Sequence, residues 1–152
     1  VAYAEAQNYA DAIADLDDYL SIDTLSAIGR WERAVCQAML NSYDASRGQN
    51  VSMKSAQVEG DIAEAIKVAP KNAYLFYNRG NLYAAAKNYS RAIDDYSRAI
   101  EIDPNFAEAY LNRGLARCYS GKTTDGLHDF SKAGELGLYN AYAISKQLSR
   151  KK

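Results

Sequence analysis

Only two prolines and two cysteines occur in 152 residues, with one tryptophan and one histidine. Cys36 and Cys118 lie far apart, with no metal-binding or redox spacing between them, and they read as small apolar residues within helical patterns. The single histidine, His128, has no thiol partner and reads as a surface residue, so no nucleophile, base and orienting group can be assembled and no catalytic residue is assigned. No apolar run is long enough to span a bilayer, and no basic-then-apolar leader opens the chain. Formal net charge is −1, which gives nothing global to attract phosphate backbones or anionic lipid; neither nucleic acid nor membrane insertion is expected. No cofactor or metal is implied.

Charge is nevertheless uneven. Val1 to Thr24 carries six acidic residues and no Lys or Arg, whereas Lys146, Arg150, Lys151 and Lys152 crowd the other end. A solvated acidic face and a basic helix end account for both. With 48% hydrophobic residues, the chain has material for one domain that buries roughly 70% of its unfolded surface.

What is present is a period. Pro70 and Pro104 stand 34 residues apart, and Ala73 to Phe106 can be laid over Ala107 to Asn140 without a gap. Ala73, Asn78, Arg79, Gly80, Asp95, Ser97, Ala99 and Glu101 then meet identical residues at Ala107, Asn112, Arg113, Gly114, Asp129, Ser131, Ala133 and Glu135. Within one unit, Phe76-x2-Arg79-Gly80-x2-Tyr83, Ala92-x3-Tyr96 and Pro104 fall where the tetratricopeptide pattern has its aromatic, Gly, Tyr, Ala, aromatic and Pro. The chain resembles the tetratricopeptide repeat family, in its Asn-Arg-Gly variety, since Arg33, Arg79 and Arg113 precede the small residue in three units.

The fold implied is all-α: a right-handed solenoid, or α-α superhelix, of antiparallel helix pairs with a C-terminal capping helix. Residues 1–24 are read as a partial repeat, with Val1 to Glu5 ending a first helix and Asp11 to Ile22 forming the second. Residues 25–72 form a repeat that carries 12 extra residues within about 41–57, a Ser-, Asn- and Gly-rich passage suited to a loop or a longer first helix. Residues 73–106 and 107–140 are two further repeats. Ala141, Ile144 and Leu148 then supply the apolar stripe of a cap over 141–152. A chain that starts inside a repeat and without Met is expected to be a fragment of a longer one, soluble in cytoplasm or periplasm, with its compartment unset.

Arg33, Arg79 and Arg113 recur in step with Asp61, Asp95 and Asp129, and Asp15 extends the acidic series. These are expected to be ties between helices, and the pattern leaves open whether each Arg meets the Asp of its own unit or of the preceding one. Asp44, Ser46, Gly48 and Asn50 faintly resemble a calcium loop but lack its acidic density, and Asn50-Val51-Ser52 and Asn88-Tyr89-Ser90 match the glycosylation triplet with little weight.

The resemblance also implies a function. First helices of this family line a concave groove that binds partners, and the corresponding positions here are Ile28, Trp31, Val35 and Met39; Tyr74, Tyr77, Asn78, Asn81 and Ala85; and Glu108, Leu111, Asn112, Leu115 and Tyr119. Amides that donate and accept, set beside rigid aromatics, suit a peptide or protein segment. The expected role is a non-catalytic protein-interaction scaffold. The alternatives are a self-associating structural module, with a homo-oligomer as its product, and a regulatory or positioning domain of a larger enzyme. Tyr77 and Tyr142 stand where members that grip an acidic C-terminus carry lysines, which argues against that clamp.

Overall fold

The computed structural model describes residues 2–23, 26–47 and 52–149, and contains eight helices and no strand among them. They are α1 (Ala2–Ile22), α2 (Ala27–Ser46), α3 (Ser52–Val68), α4 (Ala73–Ala85), α5 (Tyr89–Ile102), α6 (Ala107–Tyr119), α7 (Thr123–Glu135) and α8 (Asn140–Ser149). They fall into two compact units, residues 1–71 and 72–152.

In the second unit each helix pair is turned by three residues. At the first turn, Lys87 N–H donates to Ala84 O and Asn88 N–H to Tyr83 O; at the second, Gly121 N–H donates to Cys118 O and Lys122 N–H to Arg117 O. Both are Schellman closures, which need a left-handed residue at their centre. Gly121 meets that need at φ +85°, whereas Lys87 adopts φ +59° at the same repeat position, a conformation that strains a side-chain-bearing residue. Asn72 and Asn88 cap α4 and α5 by accepting from the backbone N–H of Tyr74 and Arg91 at 3.0 and 3.3 Å.

Each pair closes over a small residue. A Cβ on Gly80 would lie 2.7 Å from the Tyr96 ring, and one on Gly114 would lie 2.7 Å from the Phe130 ring, so those rings sit directly on the glycine backbone. Ala92, Tyr96 and Ala116 form one buried cluster; Phe130, Ala133 and Ala141 form another, with Ile144 and Leu148 of α8 packed against it. The expected cap over the last pair is thus in place through Ala141, Ile144 and Leu148.

One local expectation is corrected, and of the two readings left open for the extra residues the longer helix is the one observed. One helix runs unbroken from Ala2 to Ile22, so no turn separates a first-helix tail from a second helix; Val1 lies outside the described residues. Gln7 occupies the position of Lys87, and Ala2, Ala4, Glu5 and Ala6 are strong helix formers with no glycine or proline to stop them. Gln7 Nε2 also donates to Asp11 Oδ1 at 2.9 Å along the helix. The extra residues of the second repeat, in turn, are mostly helical. In repeat register, α2 continues seven residues past the end of α4, and α3 starts three residues before α5.

Gln37, Asn41 and Asp44 form a buried polar stripe on that longer α2, and Gln37 Nε2 donates to Asn41 Oδ1 at 2.9 Å. Asp44 and Ser46 are helical, which removes the loop a cation would need; Gly48 and Asn50 lie outside the described residues, and with them the Asn50 triplet.

Candidate functional site

The arginine row is structural. Arg33 Nε and Nη2 grip Asp61 at 2.7 and 2.5 Å, Arg79 grips Asp95 at 2.7 and 2.7 Å, and Arg113 grips Asp129 at 3.0 and 2.7 Å. Every arginine therefore meets the aspartate of its own helix pair, side-on and bidentate, which is the strongest geometry for this couple. The remaining Nη1 reaches back to the preceding second helix, to Asp17 Oδ1 at 2.6 Å from Arg33 and to Ser97 Oγ at 3.0 Å from Arg113. Asp17 and Ser97 share one repeat position. Pairing with Asp61 raises the Arg33 pKa further, so that guanidinium is permanently charged.

Among the positions assigned to partner binding, Asn81, Ala85, Asn112, Leu115 and Tyr119 of the second unit meet at a cleft of about 390 Å³, which Tyr74, Tyr77, Asn78, Glu108 and Leu111 do not line. It is lined by Asn81, Ala84, Ala85 and Lys87 at one side, Asn112, Leu115, Ala116 and Tyr119 at the other, and Tyr89 and Tyr96 of α5. A hydrogen-bond relay crosses it. Tyr96 Oη donates to Asn81 Oδ1 at 2.8 Å, and Asn112 Nδ2 donates to Asn81 Oδ1 at 2.9 Å and to Tyr77 Oη at 3.1 Å. Asn81 Nδ2 and Asn112 Oδ1 make no hydrogen bond among the described residues. One amide donor and one amide acceptor of the cleft lining thus remain unused, the two kinds of group that a peptide backbone can pair with.

Tyr77 is a packing residue as much as a surface one. Its ring lies 4.7 Å from Phe106 and 5.9 Å from Tyr96, between centroids. Tyr74, 63% exposed, rests on Phe106 at 4.9 Å. Asn78 is half-buried and Glu108 exposed, and neither lines the cleft. Tyr119, 70% exposed, stacks on Tyr89 with centroids 5.5 Å apart and planes at 22°. Lys87, Tyr89 and Tyr96 escaped the sequence reading, which took only first-helix positions. The signal for Lys87 was its alignment with Gly121, a turn position where a lysine has no conformational reason to be.

Burial, and after it the neighbouring Tyr77, pushes the Tyr96 phenol above the ordinary tyrosine range. A folded-state pKa raised in this way means that the neutral phenol stabilises fully below about pH 10, and that its contribution is lost as pH rises beyond. Wild type is expected to exceed Tyr96→Phe by about 1 kcal/mol in urea unfolding at pH 8. That lead should narrow at pH 10.5, and a constant lead would sink the assignment.

In the first unit, Trp31 and Val35 line a separate cleft of about 380 Å³ with Ala12, Asp15, Leu16, Glu32 and Cys36. Ile28 stands outside it, 71% exposed, and so does Met39. Burial raises the thiol pKa of both Cys36 and Cys118, which keeps them protonated at neutral pH. His128 is exposed on α7. Among the described residues no group of three His, Cys, Asp or Glu could hold a metal ion, and no helix is long and apolar enough to cross a membrane.

A tetratricopeptide repeat family model matches residues 73–106, and a second tetratricopeptide repeat model matches residues 96–128. No curated protein matches the sequence. Among solved structures, a crystal structure of MamA protein is 26% identical with a TM-score of 0.65, covering 84% of this chain and 63% of its own; the chain thus spans less than two thirds of that relative. MamA from Desulfovibrio magneticus RS-1 is 16% identical, with a TM-score of 0.69 over 88% of this chain and 68% of its own. The first TPR domain of Spaghetti (RPAP3), bound to the HSP90 peptide SRMEEVD, is 20% identical with a TM-score of 0.59, covering 80% and 94%. The likeness places the chain in the all-α helical-repeat (α-α superhelix) class. With the 34-residue period, the Gly80 and Gly114 crossings and the family matches, residues 73–128 are tetratricopeptide repeats.

Proposed function

We propose that the chain is a non-catalytic interaction module that binds an extended peptide or protein segment in the cleft between α4 and α6. The observation that carries this reading is the unused amide pair, Asn81 Nδ2 and Asn112 Oδ1, held in place by the Tyr96 and Tyr77 hydroxyls. Those bonds orient both amides before a ligand arrives, which lowers the ordering cost of binding. Tyr119 on Tyr89 offers a flat apolar platform next to them.

The chemistry of the ligand follows from the lining. Lys87 is its single cation, and no acidic residue lines it. An acidic tail such as the peptide bound by the RPAP3 domain would find one lysine there, and a neutral segment with an apolar or aromatic side chain fits better. Peptides selected from a display library on the immobilised protein are expected to lose about tenfold in affinity, on the order of 1.4 kcal/mol, against Tyr119→Ala. Tyr119 is exposed, so its removal leaves the fold intact. Selected peptides that bind Tyr119→Ala as tightly as wild type would remove this cleft from consideration.

A further inference from the structure

We propose that the α1 face bearing Ala12, Asp15 and Leu16, with the cleft it forms against α2, is the seat for a partner helix from outside this 152-residue sequence that carries an arginine followed by glycine or alanine. The inference is independent of the peptide reading of the α4–α6 cleft.

The argument rests on four copies of one pattern. A smaller residue, an aspartate three positions on and a large apolar residue next to it recur as Val58, Asp61 and Ile62; Ala92, Asp95 and Tyr96; and Gly126, Asp129 and Phe130. All nine side chains or backbone positions are buried. In each case an arginine of the preceding helix grips the aspartate and is followed by a buried small residue, as Arg33-Ala34, Arg79-Gly80 and Arg113-Gly114, with the two glycines directly under the Tyr96 and Phe130 rings. The fourth copy is Ala12, Asp15 and Leu16 on α1. There Asp15 is exposed, Ala12 and Leu16 are only half-buried, and no arginine among the described residues reaches Asp15.

The two clefts correspond in the same register. Leu16 stands for Tyr96, and Glu32, Val35 and Cys36 stand for Asn112, Leu115 and Ala116. What the first unit lacks is the wall that α4 supplies in the second. Charge complementarity specifies the occupant further, since residues 1–24 hold six acids and no base, and an arginine-bearing helix meets that field. The last helix, α8, lacks that arginine-and-small-residue pair. Leu148 of α8 occupies the place of Gly80 and Gly114, where a side chain blocks the ring of a following helix, and Gln147 replaces the arginine.

The probe is a blocked synthetic peptide with the sequence of residues 72–88, which contains Arg79-Gly80, titrated into the full chain by fluorescence anisotropy. Saturable binding is expected. Asp15→Asn in the protein and Arg79→Ala in the peptide should each weaken it at least fivefold, and the two together no further than either alone. Asp15 is exposed, so Asp15→Asn folds normally. Bound peptide should also slow alkylation of Cys36, which lines the cleft, and leave Cys118 unchanged. No binding at millimolar peptide, or binding insensitive to Asp15→Asn, overturns the proposal; so does self-association that Asp15→Asn abolishes, which would make a second copy the occupant. Tyr119→Ala should leave this binding untouched, so this proposal and the peptide reading fail separately.

Discussion

Replacing Asp129 with alanine should destabilise the second unit by about 3 kcal/mol, the lower end for breaking a buried ion pair. Asp129 is 5% exposed and accepts from Arg113 through two bonds and from Arg117 Nη1 at 2.8 Å, so its loss strands two guanidinium groups that are themselves 14% and 22% exposed. The arginines keep some access to water, which sets the value at the lower end. Urea denaturation followed by helical circular dichroism measures it. Replacing all three partners together, Asp129→Leu with Arg113→Met and Arg117→Met, should recover most of the loss, because no charge is then left unpaired. Asp15→Ala is the control: the same residue type at the same repeat position, exposed, should change stability by less than about 0.5 kcal/mol. Equal losses at positions 129 and 15 would show that burial is not what makes these aspartates matter.

Gly126→Ala is expected to cost about 2 to 3 kcal/mol through overpacking. A Cβ there would sit 2.5 Å from Cys118 Sγ and 2.7 Å from the carbonyl oxygen of Gly114, and a backbone atom cannot rotate out of the way. The preceding pair shows the remedy, since Ala92 fills this position opposite Ala84 where the last pair has Gly126 opposite Cys118. Adding Cys118→Ala restores that combination and should recover about half of the loss. Gly60, on α3, gives the opposite sign. Nothing lies within 4 Å of a Cβ built there, so Gly60→Ala should stabilise by about 0.5 to 1 kcal/mol as a helix-interior glycine is removed. Differential thermal melts of the two alanine variants test the contrast, and a melt of Gly126→Ala at or above wild type would contradict the crossing.

The helix pairs were legible because their determinants repeat: Gly80 and Gly114 under rings, Arg79 and Arg113 over aspartates, and the 34-residue frame that aligns them. Whether an arginine ties its own pair or the previous one is a question of side-chain direction, and spacing alone carries no such information. The relay from Tyr96 through Asn81 and Asn112 to Tyr77 was hidden for another reason. It links α5, α6 and α4, and pairing of that kind depends on how helices from different repeats cross. For residues 41–57 composition left a loop and a longer helix both open, since Ser, Asn and Gly suit loops, while the stripe Gln37, Asn41 and Asp44 has the i, i+4, i+7 spacing of a helix face. In α1 the expected turn failed because turns here are made by a left-handed residue, and Gln7 was never required to be one.

The self-contained Arg–Asp couple also bears on how such a chain can lengthen. Arg79 and Asp95 are encoded within one 34-residue stretch, as are Arg113 and Asp129, and the one bond from Arg113 that leaves its pair ends on the neutral hydroxyl of Ser97. A tandem duplication or loss of that stretch in the gene adds or removes both charges together. The helix pair is thus a unit of inheritance as well as of packing, one that can be gained or lost without leaving an ion unmatched inside the protein.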